Sequence, residues 1–323
     1  MKKMVLALTL LMLLFTACTG KTSAQGQGST PEAAASFLDS GNAYYKKGDI
    51  DKAIADYTQA ISVDPNYAYA YAYGARGNAY EQKGDYDRAI ADYTRAISID
   101  PNDVRSYSNR GLAFHAMGDL DKAIADYTQA ISIDPNYAYA YGGRGVAYFN
   151  KGDLDKAIAD YTQAIRLNPN NASDYYNRGL AFHAMGDLDK AIADYTEAIR
   201  IDPNYASAYS NRGIVYRRKG DIDKAIADCT QAISLEPNYA YAYNNRGNAY
   251  NDKGDIDKAI TDYTQAINID SKFADAYFNR GNAYYNKDDI DKAIADYTAA
   301  LKINPNRTDA KQGLEMARKE WGQ

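Results

Sequence analysis

The sequence predicts an all-α solenoid of stacked helix-turn-helix units, and three observations predict it. Pro65, Pro101, Pro135, Pro169, Pro203 and Pro237 are spaced by 36 and then by 34 residues, and Pro305 lies two periods further on. Gly41, Gly77, Gly111, Gly145, Gly179, Gly213, Gly247 and Gly281 keep the same rhythm; the one longer interval comes from an additional Ala-Tyr pair near Ala68-Tyr69. Within a unit, Ala53, Ile54, Tyr57, Ala60 and Ile61 fall at i, i+1, i+4, i+7 and i+8, one apolar stripe of a helix.

Each element of the unit has a local cause. Gly48 ends the first helix where a left-handed residue is needed. Asp49 offers an N-cap oxygen to the second helix, and Asp51 adds negative charge near its positive end. Pro65 follows the second helix, which it cannot continue. Gly41 and Ala53 are small and let the paired helices approach. One unit has too little apolar surface to fold alone, so stacking is obligatory. Thr30-Pro31 reads as a helix start, with Thr as cap and Pro in the first turn. After the last unit, Ala310, Leu314, Ala317 and Trp321 form one stripe, while Lys311, Glu315, Arg318 and Lys319 cover other faces. This predicts a solvating helix over 308–323 that closes the stack. Asp288 replaces the turn glycine of the last unit and Ser271 the proline of the one before, so fraying is expected to be easiest there.

The residue types at fixed places resemble those of the tetratricopeptide repeat family. The family places an aromatic, a small residue and an aromatic in its first helix, as Tyr107, Gly111 and Phe114 do. In its second helix it places Ala, an aromatic and Ala, then Pro, as Ala123, Tyr127, Ala130 and Pro135 do. Eight such units cover 34–307, at 34–67, 70–103, 104–137, 138–171, 172–205, 206–239, 240–273 and 274–307. The resemblance implies a right-handed superhelical solenoid whose first helices line a concave groove for a protein or peptide partner. The variant of the family that clamps a chaperone tail needs a lysine where this chain has Gly74, and cations where it has Tyr139 and Gly143.

The amino terminus carries a separate signal. Lys2 and Lys3 precede an apolar run from Met4 to Phe15, too short to span a bilayer comfortably. Phe15-Thr16-Ala17-Cys18 resembles the lipobox of bacterial lipoproteins, with Phe15 where that family usually has Leu. The resemblance implies a signal peptide over 1–17, Cys18 as the lipid-modified first mature residue, and a Gly-, Ser-, Thr- and Gln-rich tether over 18–33. It places the chain on a bacterial cell envelope, anchored by lipid only. Thr19, where an Asp would mark inner-membrane retention, points to the outer membrane or a periplasm-facing site. The alternative is ordinary cleavage after Ala24, with Thr22 as the second small residue. Gly20-Lys21-Thr22 is no phosphate loop, because Phe15 stands where the motif needs Gly.

The chain of 323 residues has a formal charge of -5 and no long basic block, so the footprint of a nucleic-acid binder is missing. Its two histidines, His115 and His183, occupy equivalent places in an identical stretch, GLAFHAMGDLDKAIADYT. Four helix spacings of roughly 8–10 Å separate them, too far to share a metal. The recurrent Asp-x-Asp pairs sit at helix starts and read as caps. Cys229 replaces the tyrosine of every other unit, with no base beside it in sequence, and reads as a buried small residue. No catalytic constellation, cofactor or metal is expected.

Two sets of side chains call for a role. Arg76, Arg110, Arg144, Arg178, Arg212, Arg246 and Arg280 precede the recurrent glycine, and only the first unit has Ser40 there. Pairing each Arg with the second-helix Asp of the preceding unit, Asp56–Arg76 through Asp262–Arg280, would explain that exception and set the stacking register. The residues after the glycine are Asn78, Leu112, Val146, Leu180, Ile214 and Asn248 through the middle of the array, with Asn42 and Asn282 at its ends. By the resemblance they look into the groove, an apolar centre flanked by amides that would grip a partner's backbone. Tyr139, Phe149, Tyr176, Tyr241 and Arg217 are expected to flank it. The predicted function is a non-enzymatic scaffold that binds a protein or peptide. The alternative is a carbohydrate- or peptidoglycan-binding module in which tyrosines stack on sugars.

Overall fold

A computed structural model describes residues 31–63, 69–320 and 322. Pro65, Trp321, Cys18, the signal segment and the expected tether up to residue 30 lie outside these, whereas residues 31–33 of that tether already belong to the first helix. The described residues form seventeen helices and no strand, a repeat helical solenoid. They divide into two compact units. One holds α1 (Pro31–Lys46) and α2 (Ile50–Val63). The other holds first helices α3 (Tyr69–Gln82), α5 (Val104–Ala116), α7 (Ala138–Lys151), α9 (Ala172–Met185), α11 (Ala206–Lys219), α13 (Ala240–Asp252) and α15 (Ala274–Asn286). Each is followed by its second helix: α4 (Tyr86–Ile99), α6 (Leu120–Ile133), α8 (Leu154–Leu167), α10 (Leu188–Ile201), α12 (Ile222–Leu235), α14 (Ile256–Ile269) and α16 (Ile290–Ile303). Then comes α17 (Thr308–Glu320). None of these helices is long and apolar enough to cross a membrane.

The turn inside each repeat is built as its residues dictate. Gly152 takes φ +82°, and its N–H reaches back to Phe149. Asp153 then caps α8 by accepting from the Lys156 N–H. Asp288 adopts φ +62° in the same role and is the sole non-glycine among the described residues with positive φ. A side chain there strains the backbone where glycine does not.

A tyrosine and a glycine fix the spacing of each helix pair. Tyr57, Tyr93, Tyr127, Tyr161, Tyr195, Tyr263 and Tyr297 are all but fully buried. Each ring lies on the glycine 16 residues earlier in its own unit: a Cβ on Gly145 would stand 2.8 Å from the Tyr161 ring, and one on Gly179 would stand 2.8 Å from that of Tyr195. In the sixth unit Cys229 takes the ring's place, with Sγ 2.8 Å from such a Cβ on Gly213. The C-terminal helix continues the pattern: Gly313 faces the Tyr297 ring, and Leu314 packs on the same cluster. It thus occupies the place of a further first helix.

The arginines pair within their own unit, which corrects the expected ladder. Arg76, Arg110, Arg144, Arg178, Arg212, Arg246 and Arg280 form bidentate bonds to Asp92, Asp126, Asp160, Asp194, Asp228, Asp262 and Asp296, Nε to Oδ2 and Nη2 to Oδ1, at 2.7–2.8 Å. The reason is register: the same 16-residue separation that sets glycine under tyrosine sets Arg against Asp one residue earlier. What crosses to the preceding unit is the remaining nitrogen. Nη1 of Arg144, Arg178 and Arg280 donates to Thr128, Thr162 and Thr264 of the preceding second helix, each at 3.0 Å. Arg178 also lies between the Tyr175 and Phe182 rings of its own helix, 5.8 and 5.9 Å from their centroids. In the first unit Ser40 holds the arginine's place, 16 residues before Asp56, and nothing in the structure explains that serine.

Candidate functional site

Successive first helices lie directly against one another (α3 on α5, α5 on α7, α7 on α9, α11 on α13, α13 on α15), whereas successive second helices do not pack this way. Closer spacing on one side makes that layer the inner face of the curving array from α3 onward. Second helices differ little between units, so the distinguishing side chains are on the first helices.

The asparagines after the glycine are turned by the core. Asn78 Oδ1 accepts from the Tyr93 hydroxyl at 2.7 Å, Asn248 Oδ1 from Tyr263 at 2.8 Å, and Asn282 Oδ1 from Tyr297 at 2.7 Å. With the amide oxygen held inward, the NH2 group is the part left to face outward. Where the residue is apolar the hydroxyl loses this acceptor: opposite Leu180, the buried Tyr195 hydroxyl has no partner. This difference predicts opposite effects of one substitution. Tyr263→Phe removes a satisfied hydrogen bond and should destabilise the array by about 1 kcal/mol. Tyr195→Phe removes an unsatisfied buried hydroxyl and should be neutral or stabilising by up to about 1 kcal/mol. Urea midpoints of the two variants measured side by side check this.

Leu112, Val146, Leu180 and Ile214 are half-buried along the inner layer, and Leu180 leans on the cluster built around Tyr176 and Tyr195. Phe149 and Tyr139 are also half-buried. Burial raises the Tyr139 hydroxyl far above its ordinary pKa. Tyr176 is a correction: it is core, not groove wall. It is 8% exposed, its ring stands 4.8 Å from that of Tyr205, and its hydroxyl accepts from Asn211 at 2.8 Å. Tyr241 is exposed and packs beside Phe273, 4.7 Å between ring centroids.

The inner layer opens into a polar cavity of about 250 Å³ lined by Arg217, Asn248, Asn251, Asp252, Tyr263, Asn279 and Asn282. Arg217 Nη1 donates to Asp252 Oδ2 at 3.0 Å across the α11–α13 joint. Asn279 donates its NH2 to Asn244 at 2.9 Å, which leaves its carbonyl oxygen for the cavity. The cavity therefore offers donors from Asn248, Asn282 and Arg217 beside an acceptor from Asn279. Asn251, Asp252 and Asn279 were missed in the sequence. The recurrent Asn-Arg-Gly triplet held the clue for Asn279, since Asn211, Asn245 and Asn279 all reach the preceding first helix. At the other end, the Tyr93 hydroxyl oxygen also lies 2.8 Å from Glu81 Oε2, so the two acceptors share its one proton, and burial raises the Glu81 carboxyl above its usual range.

No group of three metal-ligating side chains occurs among the described residues. His115 Nε2 meets Asn150 at 2.7 Å. Burial lowers the pKa of both His115 and His183. Burial pushes the Cys229 thiol up to about 12, so it stays protonated at neutral pH.

Family models described as TPR repeat match residues 77–118, 113–152, 145–186, 182–220 and 247–288. Those described as tetratricopeptide repeat match 34–67, 206–239 and 274–307, and a further one matches 229–261. The chain belongs to the tetratricopeptide repeat family. No curated protein sequence matches it. Among solved structures, it is similar to a tetratricopeptide repeat protein from Parabacteroides merdae at 21% identity and a TM-score of 0.62, covering 77% of this chain and 99% of that one. It is similar to a chain of the APC/C hetero-tetramer Cut9–Hcn1 at 20% identity and a TM-score of 0.64, over 83% of this chain and 52% of that one, so it spans about half of that longer chain. It is also similar to PilF of Pseudomonas aeruginosa at 19% identity and a TM-score of 0.58, over 65% of this chain and 95% of that one. At these identities the likenesses bear on the fold.

Proposed function

We propose that this chain is a non-enzymatic scaffold of the bacterial cell envelope, tethered by lipid at Cys18, that holds a protein or peptide partner on its first-helix layer and so supports assembly of a complex. The observation that carries this reading is the fixed orientation of the inner amides. Asn248 and Asn282 are held by buried hydroxyls with their NH2 groups outward, and Asn279 with its oxygen outward, around one cavity. Such a mixed row of donors and an acceptor suits the C=O and N–H groups of an extended main chain. Leu112, Val146 and Ile214 supply apolar contact beside it. Cys229, buried and protonated, suits a core place better than a nucleophile's.

The test is crosslinking in intact membranes, followed by purification of the full-length chain. Wild type is compared with a variant carrying Ile214→Asp and Arg217→Ala, chosen because Leu180 also supports the core. A protein captured by wild type and lost from the variant, with the helical circular dichroism signal unchanged, is the expected result. A protein retained by the folded variant moves the binding surface off this layer, and capture of glycan alone favours a carbohydrate ligand.

A further inference from the structure

One acidic side chain is buried at a joint without a charge to meet it. At the place in the first helix where other units bury Ala72, Ser106, Ala140, Ala208, Ala242 and Ala276, the fifth unit has Asp174, only 6% exposed. Room for it comes from Gly142 of the fourth unit, a place held by Gly74 in the second unit and by Ser108, Tyr176, Ser210, Asn244 and Phe278 in the other units from α3 onward. Asp174 Oδ1 lies 2.9 Å from the point a Gly142 Cβ would occupy. Its other oxygen accepts from Asn171 Nδ2 at 2.7 Å. Among the described residues no donor reaches Oδ1, which is not fully buried and keeps an edge of contact with solvent. Among the described residues no cation pairs with it: α7 brings Gly142, α8 brings Tyr161, the Arg200 of α10 is exposed and bonded to Glu197, and the residue before α11 is Tyr205, both tyrosine hydroxyls being raised in pKa by burial.

We propose that Asp174 makes the joint between the fourth and fifth units a proton-operated seam: protonated, it lets α7 and α9 stay closed over it, and ionised, it loosens them so that more water gathers at Oδ1. An unpaired buried carboxylate is far costlier than a buried neutral acid. Burial accordingly lifts this carboxyl to about 7, with the Asn171 bond opposing the shift. Because the folded pKa lies above the unfolded one, closure is most stable below about pH 4, weakens as pH rises towards 7, and levels off above. Each pH unit inside that window changes the opening equilibrium by up to about tenfold. His115 and His183, lowered by burial, work in the opposite direction as pH falls.

The experiment is hydrogen exchange of the full-length protein between pH 5 and 8, corrected for the intrinsic exchange rate. Wild type is compared with Asp174→Asn, and with Asp174→Ala, the residue most other units carry. The histidines are common to all three proteins and cancel in the comparison. In wild type, opening of the α7 and α9 peptides should increase at least tenfold from pH 5 to 7 relative to either variant, while α3 and α15 peptides respond alike in all three. The same pH response at α7 and α9 in wild type and both variants would overturn the proposal, as would a response spread evenly over the array.

Discussion

Arg178→Ala should destabilise the array by about 2–4 kcal/mol, seen as a lower urea midpoint and faster exchange in α9 and α10. The substitution leaves Asp194, with a side chain only 7% exposed, without its bidentate partner. Breaking a buried pair by removing one member costs about 3–5 kcal/mol, and the residual 18% exposure of the guanidinium reduces that figure. It also removes the Thr162 bond to the preceding unit and the contacts with Tyr175 and Phe182. Arg178→Met with Asp194→Leu removes both charges and should lie within about 1 kcal/mol of wild type. If Arg178→Ala unfolds at the wild-type midpoint, the pair has no structural role.

Tyr161→Ala should have an effect at least as large, about 3–5 kcal/mol, because it empties a ring-sized space at the centre of the fourth unit. The ring fills the gap over Gly145 and is 1% exposed. The reciprocal change, Gly145→Ala, drives a methyl into the same ring and should cost about 1–3 kcal/mol. Combining the two should cost less than their sum, since the methyl then enters vacated space. Strict additivity in a double-mutant cycle would mean that ring and glycine do not share one contact. Unfolding of a repeat array departs readily from two states, so local exchange in α7 and α8 is the cleaner measure.

The period, the turn glycines and the stripe of Ala53, Tyr57 and Ala60 made the helix pairs legible in the sequence, because each is a local signal repeated in at least seven of the eight units. Partner choice across the stack was not legible. The arginine ladder is the clearest case: spacing showed that Arg and Asp recur together, but the two candidate aspartates differ only in which helix lies opposite, a tertiary fact. Tyr176 failed similarly, since its stacking on Tyr205 depends on how the fifth and sixth units meet. Lys253 of one unit pairs with Asp223 of the preceding one at 2.6 Å, giving a second task to an aspartate that reads in sequence as a helix-dipole partner. Lys151 pairs with Asp121 and Lys219 with Asp189 in the same way. Asp174 was visible as an acid among alanines only once the units were aligned position by position.

Among the described residues from α3 onward, stacking bonds run between neighbouring units: Arg178 reaches Thr162, Asn279 reaches Asn244, and Lys253 reaches Asp223. A disturbance at one joint therefore has no rigid route to a distant one and should fade over a repeat or two. The molecule resembles a row of separately adjustable hinges more than a single lever. A change at the Tyr93–Glu81 end and one at the cavity beside Arg217, several repeats apart, should then proceed with little crosstalk, and a chain built this way keeps several independent settings along one length.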